Sequence, residues 1–409
     1  MSITARLAWR NLWRQPRRTW LTTGAMVFSN VLLVFLIGMQ LGTYDLMIDN
    51  TLGAFTGHLQ IQHRGYKDDQ RMRQTVPAVR ALAERVRERT GLDTVAARAS
   101  AFVLVSSAER SYGIQLVGVQ PRYEPKVSTL PGLVDQGRYL EATDAAEIVV
   151  GSVLARNLKV GIGDELTLLG SGLDGSFAAA VVDVVGIFDS AIADLDRGMA
   201  ELPLQFFQDT FAMGDAGHSI VIHAPSLGQV PDLKAQIAAM PEIGDDLVVY
   251  DWNALQPGLR QAIRADFTSA WFMYGLLVVL VAFSVLNTQL MSVLERTREF
   301  GIILSLGLRP GRLGWLVMLE TVFMGLVGLG LGVLLGGSIS YWFHLHGFSY
   351  PGMDALAGQF NLPDRIFIAL NPMSLLLGPA VVLIGSLLAA VYPAMRLNWL
   401  EPVDAMRAA

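Results

Sequence analysis

The chain carries few residues in arrangements that do chemistry. Its four lysines are Lys67, Lys126, Lys159 and Lys234, and none follows a glycine. A phosphate-cradling loop needs Gly-Lys-Ser/Thr, with backbone N–H groups and the lysine sharing the phosphate charge. The 409 residues therefore cannot act as a P-loop ATPase by themselves. There are no cysteines, which excludes disulfide scaffolds, Cys-ligated zinc, iron–sulfur clusters and thiol catalysis together. Gly161-x-Gly163 is no dinucleotide fingerprint, because strand-like sequence follows it instead of a helix. Neither G-x-S-x-G nor H-E-x-x-H occurs. The histidines fall in pairs: His58 with His63, His218 with His223, His344 with His346. A zinc site needs three or four protein ligands, so each pair reads as polar surface residues. No catalytic residue, no metal and no directly bound cofactor is expected.

Charge gathers instead in one short stretch, SVLERTREFGIILSLGLRPGR. Glu295, Arg296, Arg298 and Glu299 suggest a short mixed-charge helix, with Phe300, Ile303 and Leu306 packed beneath it. A short helix exposing charge and one aromatic suits a partner's groove; the alternative is a solvated turn. Glu320 is the one acid inside an apolar run. Intramembrane acids face other helices or water. Being about two turns from the run's end, Glu320 is expected to pair locally with an arginine such as Arg312.

The elements that position these residues are membrane spans. The chain is 52% hydrophobic and 16% charged, against about 25% charged in soluble domains. The net charge of −5 is mild and points to no nucleic-acid partner. Four runs are long enough to cross, since a span needs about 20 residues. They are placed at 21–43, 267–294, 313–343 and 374–395. The first follows Arg6, Arg10, Arg14, Arg17 and Arg18 and lacks a small-residue cleavage site, so it reads as a retained signal anchor. Positive charge stays in the cytoplasm. That places 1–20, 295–312 and 396–409 inside, and 44–266 and 344–373 outside.

Residues 2–15 read as an amphipathic leading helix ended by Pro16. Arg6, Arg10 and Arg14 recur every four residues, and Trp9 and Trp13 suit a membrane surface. In the third span Gly328, Gly332, Gly336 and Ser340 repeat every four residues, a spacing that lets two helix backbones approach closely. Whether that contact lies within one chain or between two stays open. The third span would measure about 46 Å as a helix, against a hydrocarbon core of about 30 Å. The outer segment has ordinary composition. Alternation in 101–105, 113–119 and 179–185 predicts strands. Pro77 followed by AVRALAERVRERT predicts a helix ending at Gly91, and GSVLARNLKVGIGDELTLLG a short helix, a glycine turn and a strand. A mixed α/β domain in two lobes is expected.

Three cytoplasmic motifs together resemble one family. ERTREFGIILSLGL looks like the coupling helix of FtsX-like ABC permeases, the type VII or mechanotransmission transporters of MacB and LolC/LolE type. YPAMRLNWLEPVDAMRAA is similar to the family's ending, and LAWRNLWRQPRRT to its beginning. One span, a large outer domain and three further spans is also the family's order. Ser305 and Leu308 depart from it, standing where small residues are more usual. The outer stretches GHLQIQHRGY, EIVVGSVLARNLKVGIGDELTLL, VVGIF and VYDWNALQPGL more loosely resemble the lipoprotein-releasing branch.

The resemblance implies an α-helical membrane protein with four transmembrane helices and a large mixed α/β periplasmic domain between helices 1 and 2. It implies a permease in the bacterial inner membrane that is not itself an enzyme. It would pair with a second permease subunit, the same or a related chain, and with an ABC ATPase dimer, where ATP-Mg is bound. Glu295, Arg296, Thr297, Arg298, Glu299, Phe300, Gly301 and Gly307 would couple to that ATPase. The substrate would be a lipoprotein handled at the outer leaflet. Two alternatives are a tripartite macrolide-type efflux permease with a periplasmic adaptor, and a non-transporting regulator of a cell-wall hydrolase.

Overall fold

A computed structural model describes residues 3–349, 351 and 365–399. They form two compact units, one of 3–44, 263–349 and 365–399, the other of 45–262 with Pro351. The family-like ending at 400–409 and the loop acids Asp354 and Asp364 lie outside the described residues.

The first unit is helical. It holds α1 (Ile3–Leu12), α2 (Pro16–Thr51), α3 (Pro257–Glu295), α4 (Thr297–Ser305), α5 (Pro310–His346) and α6 (Pro372–Arg396). Among these, α2, α3, α5 and α6 are long and apolar enough to cross a membrane. Each helix runs past its apolar run. Hydropathy marks the part that can sit in hydrocarbon, whereas backbone hydrogen bonds carry a helix on to its cap. Starts follow local chemistry. Pro310 opens α5 and Pro372 opens α6, where a missing N–H costs nothing. Asn371 and Ser374 add a reciprocal capping box to α6. The leading helix closes at Leu12, so Arg14 sits in the turn before Pro16, not on the helix as the spacing predicts. A residue directly before proline is steered away from helical geometry, and here the break comes three residues earlier still.

Met26, Leu33, Ile37, Tyr274, Val281, Val285 and Val382 form the interior between α2, α3 and α6. The small-residue stripe of α5 lies against α2 of the same chain. A Cβ built on Gly328 would stand 2.9 Å from Met26 Cβ, one on Gly332 would run into Asn30 Cβ, and one on Gly336 would stand 3.1 Å from Val31 Cα. At Gly328 and Gly332 a side chain would have to push α2 away, and at Gly336 the fit is tight. Asn30 Nδ2 also donates to the Gly328 carbonyl at 3.1 Å.

The second unit is built on ten strands: β1 (Leu59–His63), β2 (Val95–Ser106), β3 (Ser111–Val119), β4 (Val134–Gly137), β5 (Glu147–Gly151), β6 (Glu165–Ser171), β7 (Phe177–Phe188), β8 (Met199–Pro203), β9 (Ser219–Ile222) and β10 (Leu247–Asp251). Their order is β10-β1-β9-β2-β3-β8-β5-β7-β4, with β6 bridging β2 and β7. The β3–β8 and β5–β7 pairs are parallel and the others antiparallel. The three alternating stretches fall within β2, β3 and β7. The helix Val79–Thr90 ends at Gly91, which takes the left-handed φ of +70° and donates to the Arg87 carbonyl, a common helix stop. Two separate lobes do not occur, because the shared sheet joins the whole segment into one unit.

Candidate functional site

The charged loop at 295–307 is a helix folded back under its neighbours. The chain leaves α3 at Glu295, turns at Arg296, and enters α4. Phe300 and Gly301 are buried, and Phe300 packs with Val293, Leu304, Leu313, Val317 and Leu397. The sequence places Leu306 beneath the helix, but Leu306 is 82% exposed and Leu304 takes the inner position. The reason is the helical spacing: Leu304 lies one turn from buried Phe300, whereas Leu306 lies one turn from exposed Ile302 and so on the outer side, before Gly307 at φ +91° turns the chain toward α5.

The acids turn inward. Glu295 Oε2 accepts from Arg18 at 3.0 Å and from Gln15 at 3.3 Å. Glu299 accepts two bonds from Arg14, at 3.3 and 3.4 Å. The Arg296 guanidinium lies over the Phe300 ring at 4.8 Å and donates to Glu320 at 3.0 Å. Thr297 Oγ1 donates to the Val293 carbonyl. Asn11 Nδ2 donates to the same Glu320 oxygen at 2.8 Å. Glu320 thus pairs with Arg296, not with Arg312. Arg312 sits eight residues earlier on the same helix, about 12 Å away along its axis, beyond the reach of a side-chain pair. The groups line a cavity of about 240 Å³.

The outer face of α4 is different. Arg298 is exposed and makes no ion pair among the described residues. Ile302, Ser305 and Leu306 are exposed too. Positions 298, 302 and 305 share one helix face, and Leu306 extends it. A cation beside two aliphatic side chains makes a surface suited to a groove. Sequence reading missed Ile302 and misplaced Leu306. The i, i+4, i+7 spacing was the available signal.

The histidines rearrange in space. His58 and His218 are buried, not on the surface. His58 meets His223, ring centroids 4.4 Å apart, and bonds Asp49 at 3.2 Å. His218 stacks on Tyr66 and accepts from the Ser100 N–H. His344 and His346 bond backbone carbonyls. No group of three His, Cys, Asp or Glu able to hold a metal occurs among the described residues.

The second unit buries a charge cluster that the sequence does not signal. Arg98 donates to Glu124 and to the Phe55 carbonyl, and Tyr139 donates to Glu201 at 2.7 Å. Burial, and then the nearby Glu124, push the Glu201 carboxyl up to about 8. Burial holds His218 down at about 4. Both groups are neutral at pH 7 and are buried inside the fold.

Four apolar helices and a mixed α/β domain inserted after the first define a multi-pass membrane protein. The MacB-like periplasmic core domain model matches residues 19–240, and the FtsX-like permease C-terminal model matches 271–402. The chain belongs to the FtsX-like permeases with a MacB-like periplasmic domain, and it is a permease sequence without the Gly-Lys pair of a P-loop. It is similar to the lipoprotein-releasing system transmembrane protein LolC of Xylella fastidiosa, 24% identical over 73% of this chain and 74% of that one. LolC of Neisseria meningitidis is 23% identical over 80% and 81%. LolE of Haemophilus influenzae is 23% identical over 80% of each chain.

Proposed function

We propose that this chain carries ATP-driven movement across the bacterial inner membrane to its periplasmic domain and so releases lipoproteins from the outer leaflet. The observation that carries the coupling half is the exposed face of α4, Arg298 with Ile302, Ser305 and Leu306, on a chain without a Gly-Lys pair. ATP-Mg is bound in a partner ABC ATPase dimer, and no cofactor is bound by this chain. Closure of the ATPase subunits moves α4, and α4 moves α3 and α5, to which it is joined. The arginine-rich segments 1–20 and 295–312 lie in the cytoplasm with both termini. A second permease subunit completes the complex.

The similarity to LolC and LolE supports the lipoprotein half. Withdrawing lipid chains from a bilayer is uphill by about 0.8 kcal/mol per methylene, a load that calls for ATP. The MacB-like domain match keeps macrolide-type efflux as the second reading. The test is purification of the full chain from its native membrane, with identification of every bound chain and lipidated protein. An ABC ATPase with enriched lipoproteins is expected. A periplasmic adaptor without lipoproteins would favour efflux, and absence of any ATPase would overturn the coupling reading.

A further inference from the structure

We infer that the N-terminal segment is a clamp that positions the coupling helix. Arg14 holds Glu299 of α4, Arg18 holds Glu295 at the α3 end of the same corner, and Asn11 holds Glu320 of α5, so that the start of α2 follows the α3–α4 corner although no chain connection joins them. The inference rests on the coupling reading above and adds positioning residues to it.

By chain connection, α4 moves only α3 and α5. α2 is joined to it only through side chains. Arg18 of α2 reaches Glu295, the last residue of α3 and two before α4, and Arg14, in the turn before α2, reaches Glu299 of α4, at separations in sequence of 277 and 285 residues. Glu320 is the hub, since one oxygen accepts from both Asn11 on α1 and Arg296 at the head of α4. Its side chain is 7% exposed, and that of Arg296 is 17% exposed. Leaving one partner of such a pair alone is strongly unfavourable. The Arg14–Glu299 pair is exposed and so fixes orientation more than it stabilises. Three arginines face three glutamates, so the cluster is already neutral and asks for no charge from the ATPase. At the next level out, Ala8 and Leu12 are buried, Trp9 stacks edge-on against Phe323 at 5.6 Å, and Thr22 bonds Thr288 at 2.9 Å. The α4 helix therefore divides its labour: Glu299 faces the clamp, while Arg298 and the aliphatic stripe face outward.

The test uses the full chain with its ATPase in membranes. Variants are Arg18→Glu, Arg14→Glu, and the swaps Arg18→Glu/Glu295→Arg and Arg14→Glu/Glu299→Arg. Readouts are ATPase co-purification and the hydrolysis rate. A third readout is bridging of a Trp9→Cys/Phe323→Cys pair, unique because the chain has no cysteine. Arg18→Glu should retain ATPase within about twofold, lower hydrolysis about fivefold and weaken bridging, whereas its swap should restore both, as pairwise coupling requires. Unchanged hydrolysis in both single reversals would overturn the clamp. So would a swap that restores bridging without hydrolysis, or loss of ATPase from Arg18→Glu, which would make Arg18 a docking residue. An unaltered chain that retains no ATPase would overturn the coupling reading itself, and the clamp's role with it.

Discussion

Glu201 and His218 show how single buried residues set the chemistry of the outer domain. Between pH 4.5 and about 8, folded Glu201 keeps a proton that the unfolded chain has released. Stability therefore falls as pH rises through that window. His218 acts oppositely: below pH 6.5 the unfolded chain takes up a proton that the folded one refuses until about 4. Its contribution falls as pH drops. The two slopes oppose each other from about 4.5 to 6.5, and Glu201 acts alone from about 6.5 to 8. Melting of the outer domain should show a loss of about 1 kcal/mol per pH unit over that upper window. Glu201→Gln should flatten it while keeping an acceptor for Tyr139. A variant curve parallel to the unaltered one would refute the assignment. On the exposed face of α4, Leu306→Asp or Arg298→Glu should cut ATPase co-purification about tenfold, through a desolvated charge or a lost complementary one. Full retention by both would remove α4 as the docking surface.

At the scale of elements, the contact between α2 and α5 is set by what α5 lacks. Gly332→Leu would drive a side chain into Asn30, whose backbone neighbourhood cannot retreat. A Cβ on Gly330 meets nothing within 4 Å. Overpacking of a tight site costs about 1–3 kcal/mol and often more. Gly332→Leu should thus lower the yield of monodisperse chain in detergent severalfold, and Gly330→Leu should leave it unchanged. Equal yields would mean that the stripe tolerates separation. Asn30 binds the Gly328 carbonyl across the same contact, so the helices are joined by a hydrogen bond as well as by fit.

The molecule as a whole divides its labour between two compact units. The outer unit has its own interior, including Leu59, Ile61, Val95, Leu116, Val150 and Phe207. A domain with its own core folds alone. Residues 45–262, expressed separately, should show one cooperative thermal transition by circular dichroism. A gradual, featureless melt would show that the helices supply its stability. The Arg98–Glu124–Glu201–Tyr139 cluster lies wholly within that unit, so its pH response should be the same in the fragment and the full chain.

The sequence by itself determined the spans, the inserted domain and the absence of a P-loop, because each rests on local composition or on a short motif. Hydropathy is additive along a helix, and alternation marks β2, β3 and β7 without knowledge of their partners. The four-residue glycine repeat showed that some helix must come close; tertiary structure decided that it is α2 of the same chain. The loop's charges were visible, but their direction was not. Glu295, Glu299 and Glu320 turn toward Arg18, Arg14 and Arg296, because residues from opposite ends of the chain meet there; for Glu320, the buried one of the three, a charge must find its counterion. The histidines paired by proximity in sequence, whereas His58 meets His223 through the β1–β9 register. Long-range pairing of polar groups depends on which backbones the fold brings side by side, and no local pattern encodes that.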